Sequence, residues 1–132
     1  MNDLLRVAVV GATGYAGYEL ARLLLRHPKI DKPTFYLRDG NPNVRCLTEL
    51  YPQLRGWGEA PCRPLSAGAI AASGADVAFL STPHEASLEL VPELLAANPK
   101  MRIVDLSGAF RFREPETFER WYKLRPAARR FS

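Results

Sequence analysis

The chain has 132 residues, 47% of them apolar and 24% charged, proportions of an ordinary globular domain that exclude disorder, collagen-like repeats and coiled coils. That length suits one domain with its own core, and no apolar run nears the roughly 20 residues of a membrane span. The net charge of +4 sits in a basic tail, because Arg120, Lys123, Arg125, Arg129 and Arg130 all follow the last acid, Glu119. A tail is not the basic, aromatic-studded face of a nucleic-acid binder, so neither nucleic acid nor membrane is an expected partner.

Met1 to Arg6 is polar and runs straight into a strand-like segment, which reads as no signal peptide and a cytoplasmic location. Leu5-Arg6-Val7-Ala8-Val9-Val10 is β-branched and apolar and ends at glycine, the pattern of a buried strand. Beyond the glycines, Ala16, Leu20, Leu23 and Leu24 recur at helical spacing, opposite Glu19, Arg22 and Arg26. His27-Pro28 ends that helix, Thr34 to Leu37 is a second strand, and Asp39-Gly40-Asn41-Pro42-Asn43 is a loop. From Val44 to Leu65 five prolines and glycines break any long element, leaving a short helix near Cys46 to Tyr51 and then an irregular connection or weak strand.

Asp76 to Leu80 is another buried strand. Leu88, Val91, Leu94 and Leu95 then share one helical stripe, with Pro92 inside it expected to kink or split the helix. Arg102 to Leu106 is a fourth clear strand, and Pro115 suits the first turn of a final helix through Phe118, Trp121 and Tyr122. Strands alternating with helices predict an α/β fold, a doubly wound parallel sheet of Rossmann type, in a single domain. A ligand is then expected at the carboxyl ends of the strands.

Gly11-Ala12-Thr13-Gly14-Tyr15-Ala16-Gly17 lies between the first strand and the first helix. Its glycines permit the tight turn, the approach of a pyrophosphate to bare backbone, and close helix–strand packing. The helix N-terminus adds unpaired N–H groups and the positive end of its dipole. The spacing is GxxGxxG, so the loop is one residue longer at its front than the commonest dinucleotide motif. At the end of the second strand an acid would bind a ribose 2′-hydroxyl and an arginine a 2′-phosphate. Arg38 and Asp39 stand there side by side, and their chemistry alone leaves the choice open. Ser81-Thr82-Pro83-His84 ends the third clear strand, where hydroxyls and backbone N–H groups face a cofactor; His84 is either a donor to that ligand or a helix-start residue. Asp105 to Arg111 ends the next, with Arg111 either a fork for phosphate or carboxylate or a surface arginine. Cys46 and Cys62 match neither a zinc nor a CxxC spacing and read as small apolar residues.

Together, Gly11 to Gly17, Phe79 to His84, Val104 to Arg111 and Trp121-Tyr122 closely resemble N-acetyl-gamma-glutamyl-phosphate reductase, of the semialdehyde dehydrogenase superfamily. The resemblance runs from Leu5 to Tyr122 in the family's order, and Tyr51-Pro52-Gln53-Leu54-Arg55-Gly56 fits it too. It implies reduction of an acyl phosphate to a semialdehyde by NADPH in arginine biosynthesis, through a cysteine thioester. Gly11, Thr13, Gly14, Tyr15, Ala16 and Gly17 would hold the pyrophosphate, and Arg38 would favour NADP over NAD. Ser81, Thr82, Pro83 and His84 would lie along the cofactor. Ser107 and Arg111 would meet the acyl-phosphate substrate, Arg111 at its phosphate.

The family's nucleophile sits in an Asn-Pro-Gly-Cys motif that does not occur here, and its catalytic histidine and its substrate and dimerisation domain should follow. The resemblance therefore implies a dinucleotide-binding domain over 1–124, a basic tail over 125–132 and no catalytic residue in the chain. It also implies cofactor binding without turnover, with substrate engaged only alongside the second domain. The face that domain would cover is expected to promote self-association. A related acyl-phosphate reductase, or a free-standing nucleotide-binding or interaction module, is the alternative.

Overall fold

The computed structural model describes residues 3–38 and 43–122, which leaves the basic tail and most of the loop after Arg38, Asp39 included, outside the described residues. Five short strands are joined in parallel: β1 (Val7–Val10), β2 (Thr34–Leu37), β3 (Cys62–Pro64), β4 (Val77–Leu80) and β5 (Arg102–Asp105). Their spatial order is β3-β2-β1-β4-β5. The chain thus winds outward from β1 in one direction, crosses back over it, and winds outward in the other. Parallel strands need crossovers over the faces, and both faces of this sheet are covered.

On one face lie helix α1 (Tyr15–Leu25) and the connection from β2 to β3, closing a core around Val7, Val9, Phe35, Leu47 and Leu54. On the other lie α2 (Ala67–Ala72) and α3 (His84–Ala97), over Ala8, Val10, Tyr36, Ala78 and Leu80. Alternate residues of β1 therefore serve opposite cores, which is why the whole strand is apolar.

Several elements differ from expectation. The buried stripe of α1 is Gly17, Ala21 and Leu24, spaced four and three apart; Ala16 is exposed and Leu23 is 69% exposed. Pro92 lies inside α3 without dividing it, because Leu88, Val91 and Leu94 on either side of it are all buried and hold the helix to the sheet. In place of one helix near Cys46 to Tyr51 there are two 3₁₀ turns, Leu47–Glu49 and Pro52–Leu54, each anchored by a fully buried leucine. Helix α2 was not anticipated. Its six residues bury only Ile70, too little to show a period, and its start is set by Ser66, whose Oγ accepts from the Ala69 N–H at 3.2 Å. The last helix, α4 (Pro115–Tyr122), begins at the expected proline. Among the described residues no helix is long and apolar enough to cross a membrane.

Candidate functional site

Because every strand is parallel, the β1–α1 loop, Arg38, the β4–α3 loop and the loop after β5 emerge along one edge of the sheet. Winding reverses between β1 and β4, which opens a crevice at that edge. The two loops beside the crevice touch. Gly11 has φ +83°, and a Cβ there would stand 2.2 Å from the Ser81 carbonyl oxygen, so no other residue fits. At Gly17 a Cβ would lie 2.4 Å from the Gly11 oxygen and 2.6 Å from the Ala12 Cα, so this glycine lets α1 settle onto its own loop.

Gly14 is different. A Cβ there would meet nothing within 4 Å, and the residue caps α1 in an extended conformation with no side-chain hydrogen bond. The first turn of α1 carries no acid, whereas that of α3 carries Glu85. Of the two helix N-termini at the crevice, α1 therefore has the more favourable field for an anion. Thr13 and Ala16 are exposed, and Tyr15 is 96% exposed. An open cavity of about 410 Å³ flanks the loop, lined by Thr13, Gly14, Tyr15, Tyr18, Tyr51 and Gln53. Tyr36 pairs with Val10 across the sheet and accepts the Gly11 N–H, so Arg38, two residues on and exposed, leaves the sheet beside the glycine loop.

Across the crevice the side chains are more committed than their sequence suggests. Ser87, fully buried on α3, donates to Asp105 Oδ1 at 3.1 Å. Its single proton being used there, the 2.7 Å contact with Thr82 is a donation from the Thr82 hydroxyl. Thr82 thus turns its hydroxyl inward, Ser81 is half-buried, and Pro83 is exposed at the cap of α3. His84 Nδ1 accepts the Gly108 N–H at 2.8 Å, which places a neutral ring's proton on Nε2. This bond ties the β4–α3 loop to the loop after β5. Ser107 donates to Asp105 Oδ2 at 2.9 Å and accepts the Ala109 N–H, so its hydroxyl shapes that loop. Arg111 is exposed beyond it, its N–H on the Gly108 carbonyl.

Neither cysteine is at this edge. Cys62 opens β3, and burial pushes its thiol up to about 12. Cys46 is bridged to Pro61; burial works against its ionisation, but hydrogen bonds from Thr48 and Ala60 outweigh it and lower its pKa.

The family of semialdehyde dehydrogenase NAD-binding domains matches residues 6–127, almost the entire chain. The chain belongs to that family. The N-acetyl-gamma-glutamyl-phosphate reductase of Rhodopirellula baltica is 44% identical over 123 residues, covering 92% of this chain and 34% of the relative. That of Pectobacterium carotovorum is 39% identical over 120 residues, covering 90% and 35%, and that of Bacillus subtilis 38% over 119 residues, covering 90% and 33%. The chain thus spans about a third of the length of these relatives. Among solved structures, aspartate semialdehyde dehydrogenase II of Vibrio cholerae superposes with a TM-score of 0.60 at 18% identity, covering 83% of this chain and 30% of that one. Aspartate semialdehyde dehydrogenase of Candida albicans, solved with NADP, gives 0.54 at 15% identity, covering 84% and 31%. These two likenesses establish the Rossmann-type fold, and family membership makes the chain a nucleotide-binding domain.

Two further contacts shape the site. Tyr51 reaches Thr13 across 38 positions, and Ser87 joins Thr82 to Asp105; neither lies in a motif that announces such a partner.

Proposed function

We propose that this chain is the NADPH-binding domain of an N-acetyl-gamma-glutamyl-phosphate reductase acting in the cytoplasm. The observation that carries this reading is the pair of glycines at the crevice: Gly11 is locked against the Ser81 carbonyl, while Gly14 leaves an uncapped, acid-free helix N-terminus open. The names of the relatives support the substrate.

Gly11, Thr13, Gly14, Tyr15, Ala16 and Gly17 form the pyrophosphate cradle, and Arg38 pairs with the 2′-phosphate through its charged fork. Ser81, Thr82, Pro83 and His84 border the nicotinamide half, Thr82 by its backbone because its hydroxyl is engaged. Ser107 and Arg111 lie one strand further on, on the substrate side, where Arg111 faces the phosphate of the acyl phosphate. Bound NADPH supplies the hydride that takes the acyl group to the aldehyde. The nucleophile that releases phosphate is contributed by the remainder of the reductase, so the chain alone binds cofactor without turnover.

Calorimetric titration with NADPH and, separately, NADH tests the reading. Micromolar NADPH binding is expected, at least about tenfold tighter than NADH, with Arg38→Ala removing the difference by weakening NADPH alone. Equal affinities unaffected by Arg38→Ala would reject the NADP assignment, and absence of binding to either would reject the cofactor site.

A further inference from the structure

We propose that Tyr51 is a positioning residue for the phosphate-binding loop, fixing the Thr13–Gly14 peptide so that its N–H is presented to the cofactor pyrophosphate. This rests on the NADPH site proposed above. The Tyr51 hydroxyl donates to the Thr13 carbonyl at 2.7 Å, and its ring packs on Tyr18 of α1 with centroids 4.9 Å apart. No peptide among the described residues is cis. In a trans peptide the C=O and the following N–H point in opposite directions, so holding the Thr13 oxygen on Tyr51 turns the Gly14 N–H away from it. Released from Tyr51, this peptide between an exposed threonine and a glycine is free to rotate. Its oxygen can then turn toward a bound phosphate, where its partial negative charge opposes the ligand.

Tyr51 is itself firmly placed. It sits between the two 3₁₀ turns, its N–H on the Leu47 carbonyl at 2.9 Å and its carbonyl on the Leu54 N–H at 3.0 Å. Leu47 and Leu54 are both fully buried in the core shared with α1. The connection from β2 to β3, otherwise irregular, thus carries one rigid element whose exposed end is a hydroxyl on the glycine loop.

Wild-type chain and Tyr51→Phe, which keeps the ring and its contact with Tyr18, are titrated with NADPH and with adenosine 2′-monophosphate, which has no pyrophosphate. NADPH binding is expected to weaken about fivefold in the variant while adenosine 2′-monophosphate binding is unchanged. An unchanged NADPH affinity overturns the proposal, and so does an equal loss for both ligands, which would mark Tyr51 as a support of the whole fold. Amide NMR of the wild-type chain gives an answer that does not depend on the variant folding. The Gly14 N–H signal should shift with NADPH and not with adenosine 2′-monophosphate, and indifference to NADPH overturns the assignment. Wild-type protein that binds neither nucleotide instead removes the cofactor site, and this proposal falls with it.

Discussion

At Gly11 and Gly14 the same small residue does two different jobs, and substitution separates them. Gly11→Ala adds a carbon 2.2 Å from the Ser81 oxygen at a positive φ, so neither the strand end nor the loop can accept it. A loss of at least about 3 kcal/mol in urea denaturation is expected, from left-handed strain plus overpacking. Gly14→Ala has open space and an extended backbone, so stability should stay within about 1 kcal/mol while NADPH binding falls. Equal stability losses at the two positions would contradict this division. Cys62 supplies a pH dependence. Its thiol is held neutral to about 12 in the fold, against 9.0 unperturbed. Between those values the unfolded chain gives up the proton and the native chain keeps it, so stability contributed by Cys62 is present below about pH 9 and declines as pH rises toward 12. The difference between wild type and Cys62→Ala across that window isolates the effect, and parallel pH profiles would refute it.

Among the elements, the β4–α3 segment and the loop after β5 are tied together by side chains. Thr82 donates to Ser87, Ser87 to Asp105, and Asp105 also accepts the Ser107 backbone and hydroxyl. The chain thereby couples the end of β4, the first turns of α3 and the end of β5. Ser87→Ala removes the middle member and leaves the buried Thr82 hydroxyl without its acceptor. Stability should drop by about 1–3 kcal/mol, because Ser87 is fully buried. Thermal or chemical unfolding measures it, and a loss under about 0.5 kcal/mol would show that the chain is not a structural tie.

For the whole molecule, the sheet ends at β5 among the described residues, and there Val104 and Leu106 are 41% and 47% exposed. An edge strand with exposed apolar side chains is a template for another copy. Light scattering should show a mass that rises with concentration into the millimolar range and rises less in Val104→Lys. A monomer throughout that range would exclude self-association through this edge.

Local pattern determined four of the five strands, the glycine loop, the final proline-started helix and the parallel architecture, because each depends on apolar period or on residues with few backbone choices; β3, with one buried residue in three, shows no such period. Val7 to Val10 has no polar alternative, and Gly11-Ala12-Thr13-Gly14 follows it directly. The resemblance carried by those same motifs is matched by family membership over residues 6–127. Tertiary structure alone decided the rest. Pro92 stays within one helix because buried neighbours on both sides outweigh a missing hydrogen bond. Helix α2 forms although it buries a single side chain, since Ser66 caps it and the crossover holds it in place. The Ser87 bond to Asp105, the His84 bond to Gly108 and the Tyr51 hold on Thr13 all join residues that meet only when the chain has folded. A motif specifies which backbone can approach a ligand, but which side chains remain free to touch it is set by partners far away in the chain.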